Sequence, residues 1–190
     1  MRKLLVLSIA VTGFSLPSLA SADIFTHEGQ PVESTTEVEL EGPVGFTING
    51  TSQGVHCPKA TIRFDLFPSG TITITRYRKH SCTITPSNLP ADLIPKLAEG
   101  GDENHLGWHG HLLTGGIIEI TSMHMTSQVT LGGTVVAEST LEGDVTLAVN
   151  NTETISTATL AGDGVTANGN AASLSGDLQL VNPSTDIGIE

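Results

Sequence analysis

The chain has 190 residues, of which 15% are charged, 4% aromatic and 38% hydrophobic, with 21 Gly and a formal net charge of −12. A mean hydropathy of +0.10 is too high for a disordered chain, and the acidity argues against a general nucleic-acid binder. The length suits one globular domain of ordinary size.

Met1 to Ala22 reads as an export address. Arg2 and Lys3 form a short positive region, Leu4 to Leu16 an apolar stretch, and Ala20-Ser21-Ala22 a small-x-small cleavage site. The apolar stretch is shorter than the roughly 20 residues that a membrane-spanning helix needs. The expected organisation is therefore a signal peptide over 1–22 and a single β-rich domain over 23–190, secreted or periplasmic/extracellular, with no transmembrane segment in the mature chain. Loss of Arg2 and Lys3 takes the net charge from −12 to −14. The last basic side chain is Lys96, and twelve acids follow it. Such a polyanionic half repels DNA and anionic headgroups, so no nucleic-acid partner is expected.

Two cysteines remain, Cys57 and Cys82. In an oxidising compartment a lone pair is most simply a disulfide.

Taken in chain order, the elements are strands. Phe46-Thr47-Ile48 runs into Asn49-Gly50, a dipeptide that favours a type I′ hairpin turn. Ala60, Ile62, Phe64 and Leu66 alternate with polar residues, Pro68-Ser69-Gly70 turns the chain, and Thr71 to Arg76 alternates again. Leu89 to Glu99 is the one stretch with helical spacing, from Leu93 and Leu97, although Pro95 interrupts it. Strands resume at 107–113, 117–125, 129–131, 134–137 and 140–149, with weaker ones at 155–161, 165–167, 171–174 and 178–181. The predicted fold is all-β, an antiparallel β-sandwich or barrel-like fold with one short helical segment near residues 89–99.

A loose repeat of the form Ser/Thr-Leu-x-Gly-Asp ends at Asp144, Asp163 and Asp177. Its irregular spacing argues against a solenoid. One carboxylate per motif suits turns or bulges better than calcium, which wants six to eight oxygens.

Three constellations could carry chemistry. His109 and His111 would share one strand face, with His105, His124 or Glu103 as further ligands to zinc, copper or another divalent metal. Otherwise no cofactor is expected. Trp108 could stack on a sugar or a hydrophobic ligand, or fill the core. Arg76, Arg78 and His80 alternate on one face and could meet an anion, an acidic partner or the acidic half of a second copy; as a bland alternative they protect a strand edge by charge. No GxSxG elbow, P-loop or dinucleotide fingerprint is present, so the chain reads as non-catalytic.

Several pieces in order resemble the small secreted bacterial proteins known as activators of alkane oxidation. They are Gly42-Pro43 before a strand, Cys57, Thr71-Ile72-Thr73-Ile74, Cys82, and Pro86-Ser87-Asn88-Leu89-Pro90. Ala158-Thr159-Leu160 and Leu174-Ser175-Gly176-Asp177-Leu178 follow, with Pro183 and Ile187 near the end. The chain departs from that pattern where Ala91 follows Pro90 in place of a Trp, and where no third Cys stands near the end. The resemblance implies an exported, non-catalytic protein that assists growth on hydrophobic substrates or contributes to surface matrix. It brings over no catalytic residue.

The expected function is surface contact rather than catalysis, at the cell surface, in extracellular matrix or at a hydrophobic-substrate interface. It would include alkane utilisation or surface attachment, with self-association and matrix components as partners. The alternatives are a metal-binding exported protein using His109 and His111, a pilus-subunit-like adhesin, and an unrecognised hydrolase.

Overall fold

The computed structural model describes residues 23–97, 106–150, 155–181 and 187–190. The signal-peptide reading, His105, Glu103 and the side chain of His80 lie outside the described residues. Fourteen strands and no helix are seen among them. In chain order they are β1 (Phe25–His27), β2 (Gln30–Pro31), β3 (Thr36–Ile48), β4 (Gly54–Leu66), β5 (Thr71–His80), β6 (Cys82–Thr85) and β7 (Pro90–Pro95). Then come β8 (Trp108–Leu113), β9 (Ile117–Leu131), β10 (Thr134–Val149), β11 (Thr157–Gly162), β12 (Thr166–Ala167), β13 (Asn170–Leu180) and β14 (Ile187–Ile189).

The pairings close on themselves. β3 pairs β4, then β5, β8, β9, β10, β11 and β13 follow in antiparallel order, and β13 returns to β3. This is an eight-walled antiparallel barrel, meandering up and down. Three walls are built from two pieces. β5 and β6 both pair β4, β7 and β8 both pair β9, and β11 and β12 both pair β10. A break at Ser81 (φ 43°) separates β5 from β6. Residues 96 to 107 stand between β7 and β8 in the sequence.

Period-two alternation explains which face is inside. Val38, Leu40, Val44 and Phe46 of β3 are buried, as are Ile62, Phe64 and Leu66 of β4 and Leu141, Val145 and Leu147 of β10. The outer positions between them are polar, as with Glu37, Glu39 and Glu41 facing Arg63 and Lys59. Apolar inside and polar outside is the inverse of a lipid-facing barrel. Eight strands leave an interior just wide enough for side chains to fill. Gly110 shows how tightly: a Cβ there would lie 2.2 Å from the Glu119 carbonyl oxygen and 3.0 Å from Ile72 Cγ1.

A small sheet, β14-β1-β2, closes one end. Phe25, Val32, Ile187 and Ile189 join the core from it. The Asp23 carboxylate accepts hydrogen bonds from the Gly115 and Gly116 amides, at 2.7 and 3.4 Å, in the β8–β9 turn. The other end carries the β3–β4, β6–β7, β9–β10 and β12–β13 hairpins.

Cys57 and Cys82 form a disulfide, Cα atoms 4.0 Å apart, tying β4 to the start of β6 inside the wall. The expected helix near 89–99 is instead strand β7. Ala91 and Leu93 point inward while Asp92 and Ile94 pair across to Gln128 and Thr126 of β9. Two leucines four apart fit a helical turn, but prolines at both 90 and 95 remove donors a helix would use, and Leu97 is 52% exposed. β9 and β10 also run through the breaks expected at 126–128 and 138–139. Bulges at Val135/Ala137 and Gly143/Val145 absorb the out-of-phase residues. Asn49-Gly50 does begin a hairpin, but a longer one, with Ile48 N–H donating to Gln53 O and only Gly50 at positive φ. Two-residue turns with both φ values positive stand instead at Glu28-Gly29, Gly132-Gly133 and Asn168-Gly169.

Candidate functional site

The waist of the barrel is apolar. Val44, Ile62, Ile74, Tyr77, Trp108, Met123, Met125 and Leu160 are among the side chains that line it, around a void of about 20 Å³. That is room for roughly one water. Trp108 is therefore a core residue, 4% exposed, not a surface stacking platform; its indole N–H donates to Lys96 O at 3.0 Å. This bond ties Lys96, just past β7, to Trp108, the first residue of β8.

Tyr77 points inward beside Trp108 and is 8% exposed. Its hydroxyl is buried and has no hydrogen-bond partner among the described residues. Burial pushes the phenol's pKa up, because the phenolate would lose its hydration there.

The wall opens beside Tyr77. At one level β5 pairs β8, ending with Ile74 opposite Trp108. At the other level β6 pairs β7, ending with Cys82 opposite Ala91. Between these levels β5 and β7 part, leaving a wedge of about 270 Å³ lined by Tyr77, Arg78, Lys79, Leu93, Ile94 and Pro95. Lys79 bridges its rim to Asp92, and burial lowers the ammonium's pKa. Arg76 and Arg78 point outward and exposed, with no ion pair among the described residues. They share the outer face with Arg63, whose partners Glu39 and Glu37 hold its guanidinium firmly protonated.

The histidines divide. His109 and His111 do share the outer face of β8, as their spacing predicts. Each already has a different neighbour: His109 Nδ1 lies 3.1 Å from Thr73 Oγ1, and His111 Nε2 lies 3.4 Å from Glu119 Oε2. His124 faces Glu142 at 3.4 Å. Among the described residues no group of three His, Cys, Asp or Glu side chains could hold a metal ion.

The repeated Gly-Asp motifs are wall architecture. Leu141, Leu160 and Leu174 fill the interior, and Gly143 forms a bulge at φ 147°. Asp144 accepts from the Ser122 amide at 2.8 Å, and Asp177 from Thr159 Oγ1 at 3.4 Å. A shallow outer groove of about 450 Å³ runs over the β13–β3 seam, where His56 and Asp177 are its titratable groups.

The β9–β10 hairpin went unremarked in the sequence. Leu131, Val135 and Val136 flank its Gly132-Gly133 turn and are 58%, 49% and 55% exposed. From Thr134 to Glu138, β10 pairs β9 on one side and no described strand on the other. A run of two adjacent valines beside Gly-Gly was the available signal.

No protein-family model, curated protein or solved structure matches this chain.

Proposed function

We propose that this is an exported, non-catalytic protein that works by contact, at the cell surface, in extracellular matrix or at a hydrophobic-substrate interface. Assistance to alkane utilisation or surface attachment is the role that the family resemblance suggests. The observation that carries the reading is the β9–β10 hairpin, where three large apolar side chains and an unpaired strand edge stand clear of the barrel. Exposed apolar clusters of this kind mark contact surfaces, and unpaired edges recruit further strands. The buried disulfide and the lack, among the described residues, of a helix long and apolar enough to cross a membrane are compatible with export. The pilus-subunit alternative draws no support from a ring whose last wall, β13, pairs its first, because donor-strand complementation needs an open slot.

The test is adsorption of the purified protein to hexadecane droplets, alongside fractionation of the producing cells. The Leu131→Ser/Val135→Ser/Val136→Ser variant should fold normally and lose adsorption several-fold. Unchanged adsorption of that variant, or retention of the native protein in the cytosol, would sink the reading.

A further inference from the structure

We propose that the wedge between β5 and β7 binds one single-chain amphiphile with an anionic head, of the long-chain carboxylate class. The inference is independent of the β9–β10 hairpin and stands on three observations at another part of the wall.

The first is shape and lining. The wedge is about 270 Å³, with Leu93, Ile94 and Pro95 on one side and Tyr77 on the other. An apolar slot of this kind accepts an acyl chain and gains by removing it from water.

The second is the cation left at its rim. In a mature chain of net charge −14, Lys59, Arg63 and Lys79 each sit against a carboxylate. Arg78, which lines the wedge, and Arg76, two residues along the same outer face, have no such partner among the described residues. A guanidinium pair beside an apolar slot selects an anionic head and disfavours a cationic one; Arg is suited to carboxylates because its fork can be met by both oxygens.

The third is the ring of Tyr77, which forms the buried side of the slot. Tyr77 also lines the waist void with Trp108, Met123 and Met125. One ring therefore separates slot from barrel interior, and the two flexible methionines are the side chains best able to repack around a tail that passes it.

The experiment is calorimetric titration of the intact, disulfide-bonded protein with sodium dodecanoate below its micelle concentration. Parallel titrations use dodecan-1-ol, dodecyltrimethylammonium and vesicles of phosphatidylglycerol. Dodecanoate should bind saturably, one per chain. The alcohol should bind about tenfold more weakly and the cationic amphiphile not measurably. Arg76→Gln/Arg78→Gln should weaken dodecanoate about tenfold, a charge-assisted contact's worth. Ile94→Glu, on the half-exposed side of the slot, should abolish binding while circular dichroism stays native. No saturable binding, equal binding of the anionic and cationic amphiphiles, or an undiminished Arg76→Gln/Arg78→Gln variant would overturn the proposal. Binding to vesicles without binding to monomeric dodecanoate would overturn it in favour of a lipid-surface contact.

Discussion

Tyr77 is the residue whose environment makes the sharpest demand. It is the only tyrosine in the chain, so its ionisation can be watched alone. Burial raises its pKa in the folded state above the unfolded value of about 10. The folded state therefore holds its proton when the unfolded state has released it. The stability this contributes is complete below about pH 10 and is lost as pH rises beyond it, at about 1.4 kcal/mol per pH unit. Tyrosinate absorbance near 295 nm should thus appear only with unfolding, and Tyr77→Phe should resist alkali better than the native chain. Lys79 works in the opposite direction: its folded pKa is lowered, so its contribution improves as pH climbs towards the ordinary lysine value. Comparison against Tyr77→Phe isolates the phenol. Early phenolate absorbance in a still-folded protein would show that the ring is solvated. Trp108 was half legible in the sequence, where core and ligand contact were both open. Its indole N–H meets Lys96 O, just past β7, a tertiary contact that local periodicity does not encode.

At the scale of elements, the strand readings over 60–66 and 71–76 succeeded because alternation is a local property of a wall with one wet face. The reading failed at β7, one piece of a two-piece wall. β7 is six residues long and bracketed by prolines, and its partner is β9, some 35 residues away. Within 89–99 the prolines at 90 and 95 argue against a helix, but nothing there names the partner that makes the segment a strand. The pairing of Cys57 with Cys82 was legible by arithmetic, since only two cysteines were available. Its placement was not: the bond lies where β5 gives way to β6, just beyond the break at Ser81. Replacing both cysteines in Cys57→Ala/Cys82→Ala should cost about 3.5 kcal/mol of stability for a closed loop of this size, with native circular dichroism retained. A denaturant midpoint that does not move would show that the broken wall holds without it.

At the scale of the whole molecule, closure was the least legible feature. β3 and β13 pair through Leu40↔Leu180 and Ala172↔Ile48, and no sequence pattern announces that the first and last walls will meet. Closure also removes the edges that would otherwise template aggregation. A chain truncated after residue 169 should expose both β3 and β11 as free edges. It should elute as heterogeneous aggregates in size exclusion, whereas the full chain, apart from contacts made through the β9–β10 hairpin, should not. A monodisperse, cooperatively melting truncation would mean that the ring is dispensable. The candidate site shares this dependence, because the wedge exists only where two separately paired wall pieces diverge.

The small sheet at the capped end has its own corollary. Ile24 and Glu190 exchange backbone hydrogen bonds, Ile24 N–H to Glu190 O at 2.8 Å and Glu190 N–H to Ile24 O at 3.1 Å. Both extremities of the folded body thus leave from the same pole. A tether, fusion or immobilising tag joined at either extremity holds the body by that pole, and the opposite one, with Leu131, Val135 and Val136 at its summit, faces whatever lies beyond.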